Sequence, residues 1–317
     1  MRERVGAVRR MLGRRARRFG GGCLAGLRRL RAWIGGNRLA RRADYFTKPA
    51  GLTVVNGADE VYILDTRDKT IGKVLFEAHA FDLSKVYQAF ELSGFTGEDA
   101  VFVDVGANIG SICIPVVKRG LVSRALAIEP EPNNFRLLRA NLILNGVDNR
   151  ITPVQRAASD QSDQSLEMEI SPINLGDHRV RKQLKPGIYD EQTRQTLIVK
   201  STTLDAELAA FEAARLFLWI DTQGFEAFVL GGAERTLARK PPVVLEFWPY
   251  GLERTGSLKR LEAALLNAPY DRLYDLYEPA PVPREITSDT LTALTEKYTH
   301  GPGHRVTDIL LMARDGP

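Results

Sequence analysis

The stretch VFVDVGANIGSIC, from Val101 to Cys113, joins an apolar run to a turn that contains Gly106 and Gly110. The apolar run predicts a buried β-strand, and the glycines allow a tight turn in which the backbone lies close to a ligand. A helix that begins after the turn presents free N–H groups to an anionic or electron-rich group. A dinucleotide-binding loop reads GxGxxG, but Asn108 stands where its second glycine would be. The stretch therefore indicates a nucleoside site without a diphosphate.

The segments that follow alternate between apolar strands and amphipathic helices. Five apolar segments are typical of strands: AVFVDV, ALAIEP, ITPVQRAA, RLFLWIDT and PPVVLEFW. Most of them are separated by segments whose apolar residues have helical spacing. Near-continuous apolar strands separated by helices predict a mostly parallel sheet with helices on both faces. We therefore expect an α/β fold whose ligand binds at the carboxyl ends of the strands.

Composition divides the chain into three regions. Residues 1–47 are a basic extension, and residues 1–42 carry fourteen arginines and one acidic residue, a charge of +13. The other 275 residues carry about −8, although the whole chain is +5. For residues 48–98 we expect a small β-meander (LTVV, VYILDT, KVLFEAHAF) and then a helix. Residues 99–317 form the α/β domain, in which residues 160–200 are polar and predicted to be irregular until the final run TLIVK.

The first three strand ends carry residues suited to a nucleoside. Asp104 lies at the end of the first strand, just before the glycine turn. Glu129 follows the second strand at the distance where an acidic residue accepts hydrogen bonds from both ribose hydroxyls. The small residues Ala157 and Ala158 follow the third strand and would leave a slot for a flat base.

The fourth strand end offers candidates for acid–base chemistry. Asp221 and Glu226 follow a buried strand, where a carboxylate could hold the aminoacyl end of a cofactor, a metal or a substrate proton. The structural alternative is that Asp221 caps the next helix. His178, in a polar segment that could cover the strand ends, is the third candidate base, and a solvated loop histidine is the alternative. Glu246 ends an apolar strand in a similar way. The four histidines and two cysteines have no spacing typical of a metal site.

The order of these motifs resembles that of class I S-adenosylmethionine-dependent methyltransferases. More narrowly, five segments between about Ala100 and Phe247 resemble the FkbM family of methyltransferases. They are FVDVGANIG, AIEPEPNNFRLLRANLILNG, TTLDAEL, IDTQGFEAFVLGGA and VVLEFWP. The resemblance implies a Rossmann-like fold with a mostly parallel seven-stranded sheet, and S-adenosylmethionine as cofactor. It also implies O-methylation, often of sugars and secondary metabolites.

The resemblance further implies a role for each strand end. Asp221 would face the reaction centre, and Asp104 would lie beneath the glycine turn. Around the methionine part and the ribose, the predicted contacts are Gly106, Ala107, Asn108 and Gly110. Glu129 would accept from the ribose hydroxyls, and Ala157 and Ala158 would flank the adenine. Family members commonly have Lys where this chain has Trp219, so details of substrate and catalysis transfer less readily.

Two other functions remain open from sequence alone. One is a nicotinamide-dependent oxidoreductase on a related sheet, which Asn108 disfavours. The other is a non-catalytic interaction protein docked at a membrane, which an intact cofactor cleft disfavours. We expect a small-molecule or glycan hydroxyl acceptor, and no nucleic acid because the body of the chain is acidic.

The basic extension bears on location. Residues 1–42 have amphipathic spacing that suits peripheral contact with an anionic membrane, and a solvated tail or a misassigned start is the alternative. No run of about 20 apolar residues is present, so we expect a cytoplasmic protein, peripheral at the membrane if residues 1–42 bind it.

Overall fold

The computed structural model describes residues 45–97, 99–300 and 305–313. By internal contacts the chain separates into two units, Met1–Lys48 and Pro49–Pro317. In the first unit the described part is residues 45–48, of which residues 45–47 are helical. The predicted amphipathic segment at residues 1–42 lies outside the described residues. Across the described ranges, no helix combines the length and apolar character needed to cross a bilayer.

The second unit contains all the described strands. Its described strands are β1 Leu52–Asn56, β2 Val61–Asp65, β3 Ala100–Val105, β4 Arg124–Ile128, β5 Ile151–Val154, β6 Ala157–Ala158, β7 Ser165–Ile170, β8 Arg179–Val180, β9 Gln195–Thr202, β10 Arg215–Ile220, β11 Val243–Phe247, β12 Arg272–Asp275, β13 Arg284–Glu285 and β14 Thr307–Met312. Its described helices are α1 Ile71–Ala78, α2 Leu83–Ser93, α3 Cys113–Lys118, α4 Pro132–Leu144, α5 Leu204–Glu207, α6 Glu226–Gly231, α7 Glu234–Ala238, α8 Pro249–Thr255, α9 Leu258–Asn267 and α10 Ser288–His300.

The central sheet has eight strands in the described region, in the order β13-β12-β14-β11-β10-β3-β4-β5. The pairings from β11 to β5 are parallel, and β14 lies antiparallel between β11 and β12. The predicted Rossmann-like α/β class is confirmed, but the predicted count of seven strands is wrong by one. The additional strand, β13, has two residues on the edge of β12 and is too short to give an apolar pattern.

Complete burial explains why the central strands read as continuous apolar runs. Every residue of β3, β11 and β14 is buried. Phe102 and Phe217 stack with ring centroids 5.8 Å apart, and Phe90 packs 4.6 Å from Phe217. These rings attach α2 to the sheet, so the sheet gains an aromatic layer on that face.

A second sheet lies where the sequence predicted irregular structure. Its strands have the order β6-β9-β7-β8, and β7 pairs antiparallel with β9 over six residue pairs. Leu166, Met168 and Val199 pack with Phe225 in its core, whereas Ile198 is 64% exposed. The prediction of irregular structure here is wrong because one face of this sheet is solvated, so polar residues alternate with apolar ones in SLEMEI.

The N-terminal part of this unit contains a two-stranded hairpin, β1 and β2, and the helices α1 and α2. KVLFEAHAF, predicted as a third strand, forms most of α1 instead. Two side-chain bonds explain the difference, because the Asp68 carboxylate accepts from the N–H groups of Thr70 at 2.9 Å and Gly72 at 2.8 Å. Ile71 and Leu75, four residues apart, are the buried face of the helix.

Asn141 of α4 and Asn145, the residue that follows this helix, join the hairpin to the domain. Asn141 accepts from the N–H of Ile63 at 2.7 Å and donates to its carbonyl at 3.1 Å. Asn145 makes the same pair of bonds to Val61, at 2.9 and 2.7 Å. The two amides, one helical turn apart, thus bond the free edge of β2 as a neighbouring strand would.

Candidate functional site

A cleft opens at the carboxyl ends of β3, β4 and β10. It is lined by the loop after β3, by the ends of β4 and β6, by the turn after β10 and by three residues of the segment 171–178, here called the strap. The strap connects β7 to β8. No lysine or arginine of the described chain lines the cleft. Its position agrees with the rule that ligands bind at strand carboxyl ends in such sheets.

Gly106 sets the shape of the loop after β3. Its φ of 88° is left-handed, and a Cβ at this position would overlap the carbonyl oxygen of Asp221. The N–H groups of Gly106 and Ala107 both donate to the carbonyl of Ile128, at 2.9 and 3.0 Å. The loop is therefore fixed against both neighbouring strands. Ala107 and Gly110 do not line the cleft, and Gly110 packs against Ile114 and Leu138 instead.

Asn108 is the loop residue most directly suited to a ligand. It has a left-handed φ of 51°, and its side-chain amide donates to the carbonyl of Leu175 at 2.8 Å. Its Oδ1 is buried and has no hydrogen-bond partner in the described part of the chain. Because a buried acceptor without a partner is costly, this oxygen is well placed to accept from a ligand donor.

Glu129 lines the cleft, and both of its carboxylate oxygens accept hydrogen bonds. One accepts from the N–H of Asn108 at 2.9 Å and the other from the N–H of Glu131 at 2.8 Å. Burial raises its pKa to about 8. Each carboxylate oxygen has two lone pairs, so one on each remains for a pair of vicinal hydroxyls.

Asp104 lies behind the loop and not in the cleft. Its Oδ2 accepts from the N–H of Cys113, the first residue of α3, at 3.1 Å. Burial raises its pKa to about 7. The side chain therefore fixes the start of α3 beneath the loop, as the prediction that it lies under the turn would require.

Ala157 and Ala158 form a flat apolar wall of the cleft. They are 3% and 4% exposed and form β6, which pairs with β9. Met168 and Phe225 line the cleft beside them. A planar, apolar ring fits against such a wall, and a larger side chain than alanine would fill the space.

Asp221 lines the cleft beside Gly106 and belongs to a small polar cluster. Its Oδ1 accepts from the side-chain amide of Gln223 at 2.7 Å. The same amide nitrogen donates to both carboxylate oxygens of Glu246, at 3.0 and 3.1 Å. Burial raises the pKa of Asp221 to about 7 and raises that of Glu246 well above its usual value. Asp221 does not cap the following helix, since α6 has no side-chain cap.

Glu226 and Trp219 lie near the cleft but do not line it. The Oε1 of Glu226 accepts from the N–H groups of Thr222 at 2.9 Å and Gly224 at 3.2 Å, and from the Thr222 hydroxyl at 3.0 Å. Those bonds hold the turn that carries Asp221. Trp219 is 4% exposed within β10.

His178 does line the cleft, and its hydrogen bond defines its tautomer. Its Nδ1 accepts from the N–H of Ser171 at 3.1 Å, so the proton of the neutral ring is on Nε2. Burial lowers its pKa to about 4. At neutral pH the free nitrogen is therefore a donor and has no lone pair with which to accept a proton.

The strap is fastened over the cleft by backbone contacts. The carbonyl of Leu175 accepts from the side-chain amides of Asn108 and Asn134, each at 2.8 Å. The carbonyl of Ile173 accepts from the N–H of Lys69 at 2.8 Å. Sequence analysis missed Asn134 and Leu175, although Asn134 lies in the quoted motif EPNNFRLL. Within residues 45–97, 99–300 and 305–313, no group of three or more His, Cys, Asp or Glu is arranged to hold a metal ion.

Solved structures with similar architecture include several methyltransferases at low similarity. A SAM-dependent O-methyltransferase of Thermotoga maritima is 14% identical, with a TM-score of 0.39 and coverage of 86% of this chain and 81% of the other. The precorrin-6y C5,15-methyltransferase of Geobacter metallireducens is 13% identical, with a TM-score of 0.37 and coverage of 72% and 86%. TYW2 of M. jannaschii, in complex with AdoMet, is 13% identical, with a TM-score of 0.38 and coverage of 83% and 85%. Likeness at this level says nothing about the substrate.

Comparison with curated proteins finds no match. The sequence profile of one family, the methyltransferase FkbM domain, matches residues 104–271, more than half of the chain. The match begins at Asp104 and includes the glycine loop, Glu129, the strap and the Asp221 cluster. Membership of a methyltransferase family implies S-adenosylmethionine as the cofactor. The chain therefore belongs to the FkbM family of methyltransferases.

Proposed function

We propose that this enzyme transfers a methyl group from S-adenosylmethionine to a hydroxyl of an uncharged small molecule, such as a sugar or a secondary metabolite. The observation that carries the proposal is Asp221, a carboxyl group in the cleft beside the glycine loop. Its pKa of about 7 suits a general base, because such a group can accept a proton near neutral pH. Of the three candidate bases, the geometry favours Asp221.

The cleft has a complementary group for each part of the cofactor. Glu129 would accept from the ribose hydroxyls, and the free Oδ1 of Asn108 from another donor of the ligand. Ala157 and Ala158 would contact the adenine. Asp221 would then lie beside the part of the cofactor that carries the sulfonium. S-Adenosylmethionine, when bound, supplies a methyl group that its sulfonium already activates.

The protein's contribution to the transfer is alignment and proton removal. Holding the acceptor oxygen in line with the methyl group lowers the barrier through proximity and orientation. Asp221 accepts the hydroxyl proton, while the Nε2–H of His178 can donate a hydrogen bond to another oxygen of the acceptor. Glu226 acts as a positioning residue, since its bonds hold the turn that carries Asp221.

The charge of the cleft supports an uncharged acceptor. Glu129 and Asp221 line it, and no described lysine or arginine does. A phosphate or carboxylate on the acceptor would enter without a cationic partner and would pay the desolvation cost of a buried charge. The cofactor's positive sulfonium, in contrast, suits this surface.

The test is methyl transfer with a panel of acceptors. Purified protein and S-adenosylmethionine are incubated with monosaccharides, phenols and polyketide alcohols, with their phosphorylated or carboxylated counterparts, and with RNA. We expect a mass gain of one methyl on a hydroxyl of an uncharged member. Asp221→Asn should lower kcat by about 10²–10⁴-fold with little change in affinity for S-adenosylhomocysteine, whose sulfur is neutral.

One control variant and two contradicting outcomes complete the test. Glu212→Gln, an exposed carboxyl in the loop before β10, should leave kcat unchanged. Methylation of RNA or of anionic acceptors alone would contradict the proposed acceptor class. Full activity of Asp221→Asn would contradict the proposed base.

A further inference from the structure

Gln223 joins two carboxyl groups that the chain brings from different strands. Its side-chain nitrogen lies 2.7 Å from Asp221 Oδ1, and 3.0 and 3.1 Å from the two oxygens of Glu246. An amide nitrogen carries two hydrogens, so it can donate to both carboxyls at once. Gln223 adopts a left-handed φ of 56°, an unfavourable backbone conformation for a residue other than glycine. In this conformation of the turn, the amide lies between the two carboxyl groups.

The surroundings of this pair are acidic. The titratable groups that face it from the packed elements are Glu226 of α6, Asp308 of β14, Asp82 and Lys85 at the start of α2, and Asp177 of the strap. The other titratable groups that line the cleft are Glu129 and His178.

The nearby positive groups of the described chain form ion pairs with other carboxylates and not with Asp221 or Glu246. Lys85 is engaged with Asp308 at 2.6 Å and with Asp82 at 3.0 Å. Asp177 is held by two buried arginines, Arg179 and Arg194. His178 is neutral at pH 7, because burial lowers its pKa to about 4. Among the described residues, the only donor that Asp221 and Glu246 share is the neutral amide of Gln223.

Two buried carboxyl groups that share a neutral donor do not both carry a charge at neutral pH. We propose that Asp221, Gln223 and Glu246 form a carboxyl pair that holds one proton in the cofactor-free enzyme and releases it when the cofactor's sulfonium binds. The proposal rests on the proposed placement of S-adenosylmethionine in the cleft. It assigns to Gln223 a positioning role and to Glu246 a role as the partner carboxyl.

Charge and protons balance across the binding step. The protonated pair and the cationic cofactor give an ionised pair beside the sulfonium, and the proton goes to solvent. On methyl transfer the sulfonium becomes a neutral thioether, and the acceptor hydroxyl loses its proton. The ionised pair takes up that proton, so the product complex returns to the protonation state of the free enzyme.

A comparison of charged and neutral sulfur separates the proton released in response to the sulfonium from protons linked to binding of the rest of the molecule. S-Adenosylhomocysteine has the same nucleoside and amino acid but a neutral sulfur. Glu129, whose pKa is raised to about 8, would contact the ribose of either molecule in the same way. The difference in pH dependence between S-adenosylmethionine and S-adenosylhomocysteine therefore reports the groups that respond to the charge of the sulfonium, and the variants below identify the pair among them.

The experiment is calorimetric titration of the purified protein with each molecule, at several pH values and in buffers of different ionisation enthalpy. Between pH 5.5 and 7, roughly the range below the free pair's titration, affinity for S-adenosylmethionine should rise by up to about tenfold per pH unit relative to S-adenosylhomocysteine. The buffer series should show about one more proton released with the sulfonium. Equal pH dependence for the two molecules would overturn the proposal.

Isosteric variants identify the groups. Asp221→Asn should abolish the difference in pH dependence, since the pair loses its ionisable member in the cleft. Glu246→Gln should shift the difference to lower pH, because Asp221 then loses its acidic neighbour. Gln223→Glu should shift it to higher pH by adding a third carboxyl, and Glu212→Gln should leave it unchanged.

Two results separate this inference from the proposed function. If neither molecule binds, the placement of the cofactor in the cleft fails, and the inference fails with it. If both molecules bind and acceptors are methylated, but Glu246→Gln leaves the pH difference at its wild-type position, the function stands and the carboxyl pair does not.

Discussion

Gly106 is the residue on which the shape of the cleft depends most closely. Its left-handed φ and the carbonyl of Asp221 against its α-carbon leave no room for a side chain. We expect Gly106→Ala to lower the free energy of unfolding by roughly 2–4 kcal/mol, combining backbone strain with a steric overlap. Urea denaturation measures the change.

Gly120 supplies a matched control for that substitution. Its φ of 72° is also left-handed, but a Cβ there would meet open space. Gly120→Ala should therefore cost only the backbone strain, about 1 kcal/mol. Equal losses in the two variants would show that the contact with Asp221 does not matter.

At the scale of single residues, the sequence revealed what depends on residue type. The separation of Gly106 and Glu129 along the chain is typical of a nucleoside site, so the roles of both residues could be predicted. Gln223 could not, because its role appears only when β10 and β11 lie side by side and bring Glu246 to it. Leu175 acts through its carbonyl, which every residue has, so no sequence pattern marks it.

Helix α4 does more than cover the sheet, since Asn141 also fastens the hairpin. Its side chain is fully buried and bonds the backbone of Ile63 twice and the carbonyl of Ile109 once. Asn141→Ala leaves these groups without partners, which should cost roughly 2–4 kcal/mol. Urea denaturation and faster hydrogen exchange at the Ile63 amide would show it.

An exposed asparagine of the same helix is the control. Asn133→Ala should change the free energy of unfolding by less than about 0.5 kcal/mol and leave exchange at Ile63 as it is. Slow exchange at Ile63 in Asn141→Ala would mean that the hairpin is held by other contacts.

The secondary structure could be predicted for elements that are completely buried, and the prediction failed for elements that are partly buried. The apolar strands β3, β10 and β11 were evident from sequence. α1 was predicted as a strand because VLF is apolar in succession, and the local bonds of Asp68 decided otherwise. β7 and β9 bury one face only, so their polar residues resembled a loop.

For the whole molecule, buried carboxyl groups predict how stability changes with pH. Burial raises the pKa of Asp104 and Asp221 to about 7 and that of Glu129 to about 8. Each keeps its proton in the folded state at pH values where the unfolded chain has lost it, so stability falls as pH rises through these values. The pKa of His178 is lowered, so its contribution is complete above its ordinary value of 6.5.

We therefore expect the free energy of unfolding of the cofactor-free protein to fall between pH 6.5 and 8. Urea denaturation at intervals across that range measures it. Asp104→Asn keeps an acceptor for the Cys113 N–H and should make the slope smaller. A free energy that rises across the range would contradict the assigned pKa shifts.

The charge of the whole chain is divided between a basic extension and an acidic body, +13 against about −8. We propose that residues 1–42 bind anionic membrane surfaces, because fourteen arginines there accompany apolar residues at helical spacing. Deletion of residues 1–42 should abolish salt-sensitive binding to phosphatidylserine vesicles and leave cofactor affinity unchanged. Equal vesicle binding by the truncated chain would rule this out.

The measurement that tests the account most directly is calorimetric titration of the wild-type protein and Glu129→Gln with S-adenosylhomocysteine. The account predicts one site in the wild type and an affinity loss of about 1–3 kcal/mol in the variant, because Glu129 would accept from the ribose hydroxyls. Absence of binding to the wild type, or the same affinity in a folded Glu129→Gln variant, would contradict it.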